Sequence, residues 1–308
     1  MEDRPVRIDV VIPTRNTQAL TLRCIESLRA SSGVTLRCTV VDNGSSDGTA
    51  QALTARWPDV DVVRNERNVG FGEACNQGAR RGDADLLLFL NSDIVARSGS
   101  VERLAQFLSG HGDCVAAGAR LVDSGTDRTQ VGFVLRDFPR VSTQLALLGG
   151  LERFWPRNPI SRRQLMLDFD YGRTQFVDAQ PAGACLLCRR RDFDAIGGFD
   201  EEFFYWFEDV DLVRRLRARG RIAYVHDAVF EHVGGDTFAQ WGRPEIVVTR
   251  HRSLLRYFVK HHSGREALVL RGAVGVLALV RLPLLVVVDR DRARAYATVL
   301  RDALARAQ

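Results

Sequence analysis

The first 120 residues switch repeatedly between two periodicities, and that switching limits the fold more than any other feature of the chain. Continuous apolar runs at Ile8–Ile12, Cys38–Val41, Val60–Val63, Leu86–Leu90 and Val115–Ala119 read as strands. Between them Leu20, Cys24, Ile25 and Leu28 recur at helical spacing, and Ala50–Trp57, Gly72–Arg81 and Val101–Leu108 read as further helices. A strand that is apolar on both faces has to be covered on both, and successive parallel strands need crossover helices to do it. The alternation predicts an α/β fold with a Rossmann-like, mostly parallel sheet and helices on both faces. At 308 residues the chain can bury one large core or two fused smaller ones.

In such sheets ligands bind beyond the carboxyl ends of the strands, where the loops diverge. The first strand ends at Pro13-Thr14-Arg15-Asn16, the second at Asp42-Asn43-Gly44-Ser45-Ser46-Asp47-Gly48-Thr49 and the fourth at Asn91-Ser92-Asp93. Polar and acidic groups are therefore expected to converge on one edge. From Leu121 to Ala182 the pattern loosens, and "DFPR" and "FWPRNP" interrupt apolar clusters, so an irregular insertion is expected there. Order returns with "GACLLCRR", read as a strand, and "VDLVRRLRARG", read as an amphipathic helix closed by Gly220.

Charge and cysteine content narrow the partners. A net charge of +5 suits a nucleotide or an acidic membrane surface. The arginines are dispersed, with no basic stripe interleaved with aromatics, so nucleic acid is not an expected partner. The six cysteines lack a disulfide-scaffold spacing, which predicts reduced thiols, and Cys185-Leu-Leu-Cys188 reads as a pair of buried structural cysteines. No secretory signal is visible before "RIDVVIPTRN", and a cytoplasmic location is expected.

Five stretches in this order, "VVIPTRN", "VVDNGSSDGT", "NVGFGEACNQG", "LLLFLNSD" and "GGFDEEFFYWFEDVDLVRRL", resemble the family 2 glycosyltransferases of GT-A fold. The resemblance runs from Arg7 to Thr237 and implies transfer of a sugar from a nucleotide-diphosphate donor, with inversion at the anomeric carbon. It divides the chain into a nucleotide-sugar-binding half (1–120), an acceptor-binding and catalytic half (121–250) and a C-terminal helical segment (251–308). The compact length, "NSD" and "FWPRNP" look most like bacterial rhamnosyltransferases that use dTDP-rhamnose and a glycan or polyprenyl-linked acceptor in cell-envelope assembly. Another donor of the family, a UDP-hexose or galactofuranose nucleotide, and a sugar nucleotidyltransferase are the alternative readings. No Q-x-x-R-W stretch points to a processive synthase.

Residue roles follow from strand ends and resemblance together. Asp42 can accept a hydrogen bond from a pyrimidine base or ribose hydroxyl, and it resembles the family's nucleoside-binding Asp. Pro13, Thr14 and Arg15, Gly70 at a helix entrance, Asn76 one turn further and Asn91-Ser92-Asp93 complete the expected donor site. Asn91-Ser92-Asp93 corresponds to the family's D-x-D, which implies Mg²⁺ or Mn²⁺ on the donor diphosphate. With Asn at the first position, the cation is expected to rest on Asp93, joined by His232 in "FEHVGGDTF".

For the base that takes the acceptor's proton, Glu208, Asp209 and Asp211 compete. With Leu212, Val213 and Leu216 defining the apolar helix face, Asp209 falls within about 15° of its centre at ~100° per residue, and Asp211 falls nearly opposite. Asp209 is expected to be the catalytic base and Asp211 a solvated partner of Arg214 and Arg215. Glu208, a quarter-turn off the face, is expected to contact the acceptor or charge the helix start. Trp206 is expected to stack on the acceptor sugar.

Ala267–Val288 is strongly apolar but is interrupted by Arg271, Arg281 and Pro283, which argues against a simple membrane span. Arginines and a lysine flank it. Two readings stand: helices lying peripherally on the inner face of the plasma membrane, or a helix packed on the catalytic body.

Overall fold

A computed structural model describes residues 6–234 and 242–305, so the end of "FEHVGGDTF", from residue 235 on, lies outside the described residues. The amino-terminal part alternates as expected: β1 (Val6–Thr14), α1 (Gln18–Arg29), β2 (Val34–Asn43), α2 (Thr49–Arg56), β3 (Asp61–Asn65), α3 (Phe71–Ala79), β4 (Leu86–Leu90), β5 (Ile94–Ala96), α4 (Ser100–Gly110) and β6 (Cys114–Asp123). The insertion holds β7 (Leu135–Arg136), α5 (Val141–Leu148), α6 (Leu151–Phe154), α7 (Pro159–Gln164), β8 (Gln175–Val177) and β9 (Gln180–Pro181). Then come β10 (Cys185–Arg189), α8 (Arg190–Ala195), α9 (Glu208–Arg217) and β11 (Arg221–His232). Three helices, α10 (Arg243–His261), α11 (Gly264–Val288) and α12 (Arg290–Leu304), follow.

One sheet runs in the order β3-β2-β1-β4-β10-β6-β11-β5, and β8 also pairs with β11. β1 pairs in parallel with β2 and β4, β2 with β3, and β6 with β11. β10 is antiparallel to both of its neighbours, β4 and β6. The sheet crosses the boundary expected at residue 120, because β6 spans it and β10 and β11 complete the same sheet. The helical segment begins at Arg243, ahead of the expected residue 251.

Side chains alternate across the strands, so each sheet face builds its own core. Ile8, Val10, Ile12, Leu86, Leu88 and Leu90 meet α1, α2 and α4 on one face. Val11, Leu87 and Phe89 meet α3, α8 and α9 on the other. Cys185 and Cys188, three apart on β10, consequently enter opposite cores, and both are free thiols. Burial pushes both thiols up, which makes them inert packing groups.

Gly220 does not close α9 in a left-handed conformation. Its Cβ would lie 2.4 Å from Val115 Cγ1 and 2.6 Å from the Asp113 carbonyl oxygen, so close packing against the start of β6 requires the glycine.

Asp211 differs from expectation more sharply. It is wholly buried, and its carboxylate bonds Arg215 at 2.6 Å, Lys260 at 2.7 Å and His261 at 2.6 Å. The side of α9 that helix geometry assigned to solvent is covered by α10. Burial alone would raise the Asp211 pKa, but hydrogen bonds from His261 and Lys260 and the charge of Arg215 hold it down at about 2. Breaking a buried charge cluster by removing one partner costs ~3–5 kcal/mol, and Asp211→Asn should lower the unfolding free energy at pH 7 by about that amount in urea titrations. In the wild type this stabilisation is complete above the ordinary carboxylate pKa of 3.8 and is lost as pH falls toward about 2. A variant as stable as the wild type would refute the role.

Candidate active site

The sheet's topology assembles the site. The parallel strands β1, β2 and β4 end on one edge, with Thr14 opposite Asp42. β10 runs the other way, with Cys185 opposite Leu90, so the residues just before it reach that same edge. The Asn91 N–H donates to the Ala184 carbonyl at 3.0 Å and ties the end of β4 to the approach to β10.

Asp209 is gripped by that approach. Its Oδ2 accepts from the Gly183 N–H at 3.1 Å and from Gln180 Nε2 at 2.8 Å, and its Oδ1 accepts from the Val210 N–H at 2.8 Å. Contact with Gly183 is so close that an added Cβ would lie 2.6 Å from Asp209 Cβ. Burial raises the Asp209 pKa, against the opposing pull of these N–H groups and of Arg136. Such a carboxylate is a stronger proton acceptor than an exposed one and has a fixed aim.

Glu208 is not a solvated charge at the helix start. Its residue is buried and Oε2 has no hydrogen-bond partner among the described residues, while burial and the neighbouring Asp209 both raise its pKa strongly. Protonation is the physical solution for a carboxyl so placed. The backbone turns into α9 through Trp206 and Phe207, with φ of 63° and 67°. Two successive non-glycine residues in the left-handed region cost ~1–3 kcal/mol each, so the packed surroundings must hold this turn in place.

Asp93 and His232 meet although 139 positions separate them. β11 pairs antiparallel with β5, His232 opposite Ile94, which brings His232 Nε2 to 3.6 Å from Asp93 Oδ2. The ring stacks on Phe133, and its Nδ1 lies 2.8 Å from Gln130 Oε1. Gln130 cannot be turned over without loss, because its Nε2 donates to Asp123 Oδ1 and to the His232 carbonyl, both at 3.0 Å. Its Oε1 must therefore accept from Nδ1–H, which leaves the neutral ring's Nε2 lone pair facing a carboxylate oxygen. Burial lowers the His232 pKa, against the opposing charges of Asp93 and Asp123, which favours that neutral ring. A carboxylate oxygen and an imidazole lone pair 3.6 Å apart are a donor pair that a divalent cation could share. Among the described residues no third His, Cys, Asp or Glu joins them, so diphosphate and water would supply the remaining ligands.

The other expected donor residues fall into two groups. Asp42 is buried at its strand end, Oδ1 accepting from the Ser45 N–H at 2.8 Å, and Pro13 pairs opposite Val41 in β1. Arg15 continues that strand end, and its charge acts on Tyr205. Thr14 and Ser92, by contrast, spend their hydroxyls internally: Thr17 Oγ1 lies 2.9 Å from each, and Thr14 Oγ1 lies 2.7 Å from Thr21 Oγ1. Asn76 stands apart from both groups. Its amide donates to the Phe199 carbonyl and Glu201, both at 2.9 Å, and its Oδ1 accepts from the Phe199 N–H, so it pins residues 199–201. Gly70, at φ 98°, lets the chain pass Phe204, whose carbonyl oxygen would lie 2.5 Å from an added Cβ.

Gln130, Arg136, Gln180 and Gly183 were not anticipated from sequence. Gln130, Arg136 and Gln180 lie in the irregular stretch between β6 and β10, where no periodicity or motif marks them, and Gly183 opens "GACLLCRR", which reads only as a strand.

Comparisons with known proteins agree with this architecture. The family "Glycosyl transferase family 2" matches residues 9–168. An N-acetylglucosaminyl-diphospho-decaprenol L-rhamnosyltransferase of Mycobacterium tuberculosis is 32% identical over 285 residues, covering 83% of this chain and 86% of that one. The O-antigen biosynthesis protein RfbC of Myxococcus xanthus is 27% identical over 229 residues, which cover 70% of this chain and 16% of the relative. Among solved structures, a mannosyltransferase of Pyrobaculum calidifontis in complex with GDP-Man and Mn²⁺ aligns with a TM-score of 0.56 at 16% identity, over 99% of this chain and 77% of that one. Residues 1–349 of S. aureus TarS align with a TM-score of 0.53 at 15% identity, over 96% and 91% of the two chains. Sheet, strand-end acids and these likenesses lead to one conclusion: the chain belongs to glycosyl transferase family 2, has a GT-A-like fold and resembles a mycobacterial rhamnosyltransferase along most of its length.

Proposed function

We propose that this chain is an inverting, metal-assisted glycosyltransferase that moves rhamnose from dTDP-rhamnose to a polyprenyl-diphosphate-linked sugar during cell-envelope assembly. The observation that carries the chemistry is Asp209, a carboxylate of raised pKa held by Gly183 and Gln180 on the sheet edge where strand-end acids gather. Donor and acceptor classes are supported by the mycobacterial relative, whose name specifies an L-rhamnosyltransferase acting on an N-acetylglucosaminyl-diphospho-decaprenol.

In this reading Asp209 takes the proton of the acceptor hydroxyl as its oxygen attacks the anomeric carbon. The bond from that carbon to the diphosphate oxygen breaks on the opposite face. The nucleoside diphosphate leaves with the electron pair, and the configuration inverts. Asp93 and His232 would hold Mg²⁺ or Mn²⁺, which supplies positive charge against the departing diphosphate. Asp42 orients the nucleoside, and Trp206 gives the acceptor sugar a stacking face.

The direct test is transfer from dTDP-rhamnose to a prenyl-diphosphate N-acetylglucosamine, with the anomeric configuration of the product read by NMR. A retained configuration, or no transfer from any nucleotide sugar, would sink the proposal. Asp209→Asn should lose ~10²–10⁴ in kcat while still binding donor. Because the ionised form is required, kcat/KM should fall with decreasing pH through a pKa above the ordinary carboxylate range, and a flat profile would exclude Asp209 as the base. Gly183→Ala should push the base aside and cost ~10²-fold in kcat at unchanged donor affinity; an unimpaired variant would show that the grip on Asp209 is not needed. Thermal stabilisation by dTDP should exceed that by UDP or GDP and should increase with Mn²⁺. Asp93→Ala should abolish the Mn²⁺ increment, and its persistence would remove Asp93 from the metal site.

A further inference from the structure

The two arginines that interrupt α11 in sequence are both turned inward. Arg271 donates to the Ala303 carbonyl at 2.8 Å and the Asp302 carbonyl at 3.2 Å, and Arg281 donates to the Tyr296 hydroxyl, all on α12. Leu270, Val274, Ala278 and Leu285 are buried on the same side, in a cluster with Tyr296 and Val299. The outward side carries Leu268, Val276, Leu279, Val280, Leu284 and Val287, each at least 60% exposed. Among the described residues, no charged side chain interrupts this face between Ala267 and Val288. An uncovered apolar strip of this length is not an ordinary protein surface.

A second exposed feature lies beside the same helices. Arg153-Phe154-Trp155-Pro156-Arg157 is exposed throughout, Phe154 by 83% and Trp155 by 55%. The tip is held in shape by Asn158, which is buried, donates to the Trp155 carbonyl at 2.8 Å and accepts from the Ser161 N–H at 2.8 Å. The preceding helix, α5, packs through Val141 and Leu148 on the α10–α12 cluster. Aromatic rings bracketed by arginines match the headgroup level of a bilayer. Among the described residues no ion pair engages Arg153, Arg157, Arg265 or Arg290, so their charge is available to anionic headgroups.

We infer that α11 and the 153–157 tip seat this protein on a bilayer bearing anionic phospholipids, with α11 lying along the membrane and its outer face among the acyl chains. Length and composition alone would let α11 span. Spanning would, however, draw α12, with exposed Arg290, Asp291, Arg294 and Arg301, into hydrocarbon, or strip Arg271 and Arg281 of their partners. The inference deepens the proposed function, since a prenyl-linked acceptor resides in that bilayer, but the surface it uses is separate from the site.

Flotation of the full chain with phosphatidylglycerol-containing vesicles, compared with phosphatidylcholine alone, tests it. The wild type should float with the anionic vesicles. Val280→Glu combined with Val287→Glu should reduce binding at least tenfold, and Trp155→Ser should reduce it less, with unchanged melting temperature and unchanged transfer to a water-soluble, short-prenyl acceptor. Wild type that stays unbound, or variants that bind equally well, would overturn the inference. So would light scattering that finds a dimer dissolved by the paired substitution without vesicle binding, since the face would then serve a second copy. Flotation without glycosyl transfer would count against the proposed function and leave the docking surface standing.

Discussion

The antiparallel ladder of β10 between β4 and β6 is the constraint from which the candidate site follows. In a wholly parallel sheet, only segments leaving strand carboxyl ends reach the ligand edge. A reversed strand adds the segment that precedes it. Here residues 180–184 arrive beside Asn91 and present a backbone N–H and an amide to a helix that starts after two left-handed residues. Gly183 is small because the Asp209 side chain occupies the space its own would take.

Three acids within four positions of α9 show how surroundings, rather than residue type, set chemistry. Glu208 is buried, without a partner at Oε2 among the described residues, and is pushed toward the neutral form. Asp209 is half-buried and bonded by N–H groups, and burial raises its pKa against the opposing pull of those groups. Asp211 is buried among cations and stays ionised. Neighbours in sequence thus include an acid pushed toward its neutral form, a carboxylate of raised pKa and a structural anion.

Much of this was legible beforehand, for physical reasons. Continuous apolar runs announce buried strands, and the strand-end rule carries Asp42 and Asp93 to one edge without knowledge of packing. His232 was reachable only through family resemblance, because its approach to Asp93 depends on the β11–β5 pairing, and β5 is a three-residue strand with no signal of its own. The setting of Asp211 was misread because helix periodicity identifies one buried face and cannot tell that α10 covers the opposite one. Gln130 and Gln180 are polar residues in irregular chain, and their significance lies entirely in what tertiary structure puts next to them.

The hydroxyls of Thr14, Thr17, Thr21 and Ser92 join the ends of β1 and β4 to the start of α1. Each can give or receive a proton in a hydrogen bond, and none carries charge. The seam between these strands is therefore cross-linked without adding to the negative potential that Asp42 and Asp93 already create. A ring of carboxylates at this seam would bind a cation more tightly and repel an incoming polyanion. Neutral cross-links, with Asn91 alongside, instead give a mildly acidic edge that the proposed diphosphate donor would be able to approach and also leave.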